Sequence, residues 1–136
     1  MQELIVEARL ENLDKVNDFV QHSIADCDCS KKSVMQLGVI VEEIFVNIAS
    51  YSYPDGVGTA TVQTEITDNP LAITLTFIDS GIEYNPLAKE DPDLELSVEE
   101  RDIGGLGIYL VKNMVEEISY NYVDGKNILS LTKNLT

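Results

Sequence analysis

Apolar and polar residues alternate over residues 3–10. Leu4, Val6, Ala8 and Leu10 fall on one side, and Glu3, Glu7 and Arg9 on the other. That period of two predicts a half-buried β-strand. The period then lengthens to helical spacing, with Leu13, Val16, Phe19, Val20 and Ile24 following Asn12, a residue type suited to an N-cap. This helix is expected to end within residues 26–30. A second helix is predicted from near Ser30 to near Ser50, with Leu37, Val41, Ile44, Phe45 and Ile48 as its main stripe. Val39, Ile40 and Val46 make its other faces apolar too, which places it deep in a core.

Tyr53-Pro54-Asp55-Gly56 signals a turn. Two alternating segments follow, Ala60/Val62/Thr64/Ile66 and Ile73/Leu75/Phe77, joined by Asp68-Asn69-Pro70 and ending at Asp79. Residues 87–103 break the pattern with seven acids, two bases and Pro92. They read as a loop or lid, with a short helix near Ser97–Arg101. Gly104-Gly105-Leu106-Gly107 then opens a helix toward Glu117. Two last strands, near Ile118–Val123 and Asn127–Lys133, flank the hairpin signal Asp124-Gly125. Short turns between consecutive strands impose antiparallel pairing. The order β-α-α-β-β-lid-α-β-β therefore predicts an α+β fold, a two-layer α/β sandwich. Its sheet is expected to be mixed and mostly antiparallel, with helices on one face, in a single domain over residues 1–136.

Charge narrows the functional classes. The 136 residues carry 24 Asp+Glu and 9 Lys+Arg, a formal net charge of -15 spread evenly along the chain. No basic block exists to follow a phosphate backbone or an anionic bilayer, so neither direct nucleic-acid nor membrane binding is expected. No apolar run approaches the ~20 residues of a membrane span, and the N-terminus lacks the pattern of a signal peptide. Cys27 and Cys29, near the lone His22, lack further ligands nearby and read as free thiols. A cytoplasmic location is the expectation.

Three constellations carry candidate chemistry. Glu43 and Asn47 are four apart and stack on one helix face beside the main stripe. A carboxylate next to a carboxamide on so apolar a helix needs a partner, and a hydrated Mg²⁺ would be one. Asp79-Ser80-Gly81 closes a strand with an acceptor where the backbone turns tightly, a geometry suited to reading an exocyclic amine. The three glycines at 104, 105 and 107 let backbone amides face an anion at a helix N-terminus. Taken singly, these also fit a solvated helix edge, a strand-ending turn and a flexible helix start. Walker and Rossmann glycine patterns are both absent.

In this order and spacing, Glu43-x-x-x-Asn47, Asp79-x-Gly81-x-x-Tyr84-Asn85-Pro86, a lid and Gly104-Gly105-Leu106-Gly107 resemble the GHKL (Bergerat-fold) ATPases. Within them the chain is similar to the anti-sigma-factor serine kinases of the RsbW type, through to the closing hairpin with Gly125-Lys126-Asn127-Ile128-Leu129. The resemblance implies the histidine-kinase-like ATPase fold, with ATP and Mg²⁺ as cofactors. It implies that Asn47 coordinates the Mg²⁺, that Glu43 is the general base, and that Asp79 accepts a hydrogen bond from the adenine amine beside Gly81. It further implies that Gly104, Gly105, Leu106 and Gly107 hold the phosphates. The implied activity is transfer of the ATP γ-phosphate to a serine or threonine of a STAS-domain anti-anti-sigma protein, regulating a sigma factor. Homodimerisation is a further expectation. The alternatives are a nucleotide-dependent binding module and an ATPase without a protein acceptor. Arg101 in the lid is a candidate γ-phosphate cation or a partner of Glu99 or Asp102. Tyr51 stands where many relatives carry histidine.

Overall fold

A computed structural model of the chain describes residues 1–88 and 105–136. The expected lid from residue 89 onward, its short helix, Arg101 and Gly104 lie outside the described residues. The strands are β1 (Gln2–Glu7), β2 (Thr59–Thr67), β3 (Ala72–Asp79), β4 (Glu117–Val123) and β5 (Lys126–Asn134). They form one sheet in the order β1-β2-β3-β5-β4. All four pairings are antiparallel, so the sheet expected to be mixed and mostly antiparallel is antiparallel throughout the described residues. Helices α1 (Leu13–Ser23), α2 (Lys31–Asn47) and α3 (Gly105–Lys112) supply the second layer.

The period of two decides which face they cover. Val6, Val62, Leu75, Phe77, Leu129 and Leu131 point inward and join Val16, Val20, Leu37, Ile40, Val41, Ile44, Phe45 and Val111 in one core. The opposite face is mostly polar, with hydroxyls of Thr76 and Ser130 paired across the strands at 3.1 Å and those of Thr74 and Thr132 at 3.4 Å. β4 and β5 are joined by Asp124 (φ 52°) and Gly125 (φ 76°). Two successive left-handed residues make the tight hairpin turn whose twist matches the strands.

α2 begins at Ser30, whose hydroxyl accepts from Ser33 N at 3.1 Å. It continues into a wider π-turn over Ile48–Ser52, giving 22 residues, long and apolar enough by length and composition to cross a membrane. The core accounts for that composition, because Leu37, Ile40, Val41, Ile44, Phe45 and Ile48 are all buried against the sheet and the neighbouring helices.

Three boundaries differ from the sequence expectation. β1 stops at Glu7 rather than Leu10, because its partner strand begins at Thr59. Ala8 N bonds to Gly58 O, the chain then turns, and Leu10 is left exposed. Asn12 does not cap α1; its amide donates to Glu7 O at 2.9 Å and fastens that turn. α3 ends at Lys112, not near Glu117. Asn113 Nδ2 donates to Tyr109 O at 2.7 Å, and Glu116 N already bonds to Thr132 O of β5.

Candidate functional site

The last turn of α2, the end of β3 and the start of β5 converge at one end of the sandwich. Between them lies a pocket, partly open to solvent, with about 420 Å³ of space counting its open mouth. Its walls are largely apolar: Ile44 and Ile48 from α2 and the π-turn, Phe77 from β3, Ile108 from α3, Leu129 from β5 and Pro86. Its polar residues are few: Asn47, Ser52, Asp79 and Asn127, with the rings of Tyr84 and Tyr120 completing the lining. A mostly apolar lining with a few convergent polar groups is the usual make-up of a small-molecule site.

Asp79 is the buried carboxylate of this pocket. It occupies an inward position of β3 that hydrophobic alternation would otherwise give to an apolar residue. Its Oδ1 accepts from Gly81 N and from Asn127 Nδ2, both at 2.9 Å. Both hydrogen bonds fall on the same oxygen, which leaves Oδ2 for a donor entering the pocket. The turn after Asp79 is held against α2's extension, where Ile82 N bonds to Ser52 O at 2.9 Å. Gly81 permits that approach, since a Cβ there would lie 2.1 Å from Ser52 O.

A second brace comes from Tyr53. Its hydroxyl donates to Thr59 O at 2.6 Å and accepts from Ser80 N at 2.8 Å, fastening the loop before β2 to the end of β3. Burial raises the Tyr53 phenol above its ordinary range; the bond from Ser80 N opposes that shift and the nearby Asp79 charge adds to it. The Tyr51 ring, exposed, stands 6.3 Å from that of Tyr84, tilted by 39°.

Asn47 and Asp79, distant in sequence, line this one pocket. Glu43, one turn earlier on α2, reaches α3 instead. A Cβ on Gly107 would lie 2.1 Å from Glu43 Oε2, so the carboxylate rests directly against the glycine. Gly107 lies in the first turn of α3, which starts at Gly105, while Gly104 is outside the described residues. Among the described residues no group of three or more His, Cys, Asp or Glu could hold a metal. Asn47 fits the other way of binding Mg²⁺, in which one protein oxygen serves and phosphate and water complete the octahedron. Cys27 and Cys29 are free thiols in the connection between α1 and α2.

Sequence reasoning missed Asn127, Tyr120 and Ser52 as pocket residues, and read Ile44 and Ile48 as core alone. Asn127 left a signal. It occupies the first inward position of a strand whose next inward residues are Leu129 and Leu131, and a polar residue in such a row needs internal partners.

Comparison with known proteins places this fold. Residues 6–133 match the family model described as the histidine kinase-like ATPase domain. The chain is 28% identical to the serine/threonine-protein kinase BtrW of Bordetella bronchiseptica over 98 residues, covering 72% of this chain and 68% of that protein. It is 25% identical to the serine-protein kinase RsbW of Bacillus cereus over 100 residues, covering 71% of this chain and 61% of that one. Among solved structures, the RsbU and RsbW domains of Rv1364c from Mycobacterium tuberculosis superpose with a TM-score of 0.65 at 13% identity. That match covers 99% of this chain and 33% of theirs. A blue-light activated histidine kinase of Erythrobacter litoralis gives a TM-score of 0.59 at 15% identity, covering 92% and 41%. At these identities the structural matches speak for the fold.

Proposed function

Since the chain belongs to the histidine kinase-like ATPase domain family, we propose that it is an ATP-dependent serine/threonine protein kinase of the anti-sigma-factor type. Its acceptor would be a STAS-domain anti-anti-sigma protein, and its regulated partner a sigma factor. The observation that carries this reading is one arrangement: Asn47 and Asp79 share an apolar-walled pocket, and Glu43 lies against Gly107 at the start of α3.

In this reading adenine fills the pocket, with its amino group donating to Asp79 Oδ2. Asn47 offers a carboxamide oxygen to Mg²⁺, which when bound neutralises phosphate charge. Backbone amides at the start of α3, from Gly105, Leu106 and Gly107, face the phosphates with the partial positive end of the helix. That suits a protein with few lysines. Glu43 takes the proton of the acceptor hydroxyl as its oxygen bonds to the γ-phosphorus; the bond from that phosphorus to the bridging oxygen breaks and ADP leaves. Such transfer requires positioning, charge neutralisation and a place for the proton. The even excess of acids favours a basic face on the protein partner. The kinase names of BtrW and RsbW support the activity. A cytoplasmic site of action and self-association as a homodimer are part of the same proposal.

The first test is thermal melting with Mg-ADP or Mg-ATP, because a ligand selective for the folded state raises the melting temperature. No shift at millimolar nucleotide overturns the reading. The second is labelled-phosphate transfer to a STAS-domain partner. Glu43→Ala is expected to abolish transfer while retaining nucleotide binding, and an undiminished rate would remove Glu43 as the base.

A further inference from the structure

The most fully bonded side chain in the pocket is one that offers nothing to a ligand. Asn127 is 6% exposed, and its amide has two donor hydrogens and two acceptor lone pairs. All four are used inside the protein. Nδ2 donates to Asp79 Oδ1 at 2.9 Å and to Ile82 O at 2.8 Å. Oδ1 accepts from Tyr84 N at 3.1 Å and from the Tyr120 hydroxyl. The orientation of the amide is fixed by chemistry, because a backbone N–H can only donate and a backbone carbonyl can only accept. A flipped amide would set two donors and two acceptors face to face.

We infer that Asn127 is a positioning residue that sets base specificity through Asp79. By donating to Oδ1 it completes the pair of N–H groups on that oxygen, the other being Gly81 N, and turns Oδ2 toward the pocket as a bare acceptor. By holding Ile82 O and Tyr84 N it also fixes the segment that carries Tyr84 to the pocket wall. A bare carboxylate oxygen attracts a 6-amino purine and repels a 6-oxo purine, whose carbonyl is itself an acceptor. Tyr120 belongs to the same device, since its hydroxyl occupies the second acceptor position of the amide.

The inference rests on the nucleotide-binding reading proposed above, and its test separates the two. Dissociation constants for Mg-ADP and Mg-GDP are measured on the parent protein, Tyr120→Phe and Asn127→Asp, with melting without nucleotide as the check on folding. The parent is expected to favour ADP by at least about ten-fold, the discrimination a hydrogen-bonding site gains over a mismatched acceptor. Tyr120→Phe removes one hydroxyl and is expected to weaken ADP several-fold with GDP little changed. Asn127→Asp sets a second carboxylate against Asp79 Oδ1 and Ile82 O, and is expected to bring the ADP/GDP ratio close to one. A uniform loss for both nucleotides would mark a merely structural role and overturn the inference, as would parental ratios in folded variants. Should Asn127→Asp fail to fold, the ratio in Tyr120→Phe decides alone. If the parent binds neither nucleotide, the nucleotide-binding reading itself fails, and Asn127 loses its assignment with it.

Discussion

Replacing Gly81 by alanine adds a single methyl group at the tightest backbone contact in the site. The new Cβ would lie 2.1 Å from Ser52 O and 2.6 Å from both Ser52 C and Ser52 Cβ. The first distance is about 1.3 Å short of the 3.4 Å at which ordinary contact begins. Ser52 O is backbone in the π-turn that extends α2, so it cannot rotate away. The turn after β3 must separate from it, which breaks the 2.9 Å bond from Ile82 N. Overpacking costs about 1–3 kcal/mol and the lost hydrogen bond about 1 kcal/mol, so Gly81→Ala should destabilise the fold by about 2–4 kcal/mol. In urea that moves the midpoint down by about 1–2 M, and the melting temperature falls by about 8–16 °C. Gly56→Ala is the control, because nothing lies within 4 Å of its added Cβ; it should stay within about 0.5 kcal/mol of the parent. A Gly81→Ala protein equally close to the parent would refute the close packing of the turn on Ser52, and with it the geometry assigned to Asp79.

Gly107→Ala makes a similar overlap with a different neighbour, the free end of Glu43, 2.1 Å from the new Cβ at Oε2. The carboxylate can swing aside, so stability should change by no more than about 1 kcal/mol, helix propensity offsetting the strain. ATP turnover should nonetheless fall by about 100-fold or more as the base is displaced. Glu43→Asp in the same chain, shorter by one methylene, should recover part of it, and parental turnover in Gly107→Ala would refute the placement of Glu43. Burial raises the phenols of both Tyr53 and Tyr120; the bond from Ser80 N opposes the shift at Tyr53 and the nearby backbone N–H of Tyr84 opposes it at Tyr120, while the charge of Asp79 adds to it in each case, with Glu83 adding at Tyr120. A group whose folded pKa is raised contributes stability that is fully present below its unfolded value, about 10 for tyrosine, and lost as pH rises through the folded one. Urea unfolding should therefore show stability falling above pH ~10, with a shallower fall in Tyr120→Phe. Burial lowers Lys133 and works in the opposite sense, but it is common to both proteins. Identical slopes would remove Tyr120 as a contributor.

Most of the architecture is legible in hydrophobic periodicity, because each strand buries one face and each helix one stripe. Asp124-Gly125 specifies a hairpin that the backbone adopts with two left-handed residues. Periodicity fails where an element ends for a non-local reason. Leu10 continues the alternation of β1 in sequence, yet the partner strand is not long enough to pair it. Asn113 ends α3 with its side chain, and β5 captures Glu116. Of the site, Asn47 and Asp79 were legible because a polar residue among apolar neighbours stands out at once. Asn127 was harder to see, because its partners lie 43 to 48 residues away except for Tyr120, and a hydrogen-bond network of that span has no signature in local spacing. The contact between Glu43 and Gly107 is of the same kind, set by how α2 and α3 pack rather than by either segment alone.

The strand order has a consequence for how the pocket comes into being. β2 with β3, and β4 with β5, are hairpins closed by short turns, whereas β3 and β5 meet only after more than forty intervening residues. Local pairs close at little entropic cost and distant ones at more, so the junction of β3 and β5 is a seam between two units that can each form early. Asp79 lies on one side of that seam and Asn127 is its register partner on the other. The pocket is not carried by either hairpin; it exists only once they are stitched together. Occupancy of the pocket and closure of the seam are therefore thermodynamically coupled, and a ligand held there fastens the two halves of the sheet to each other.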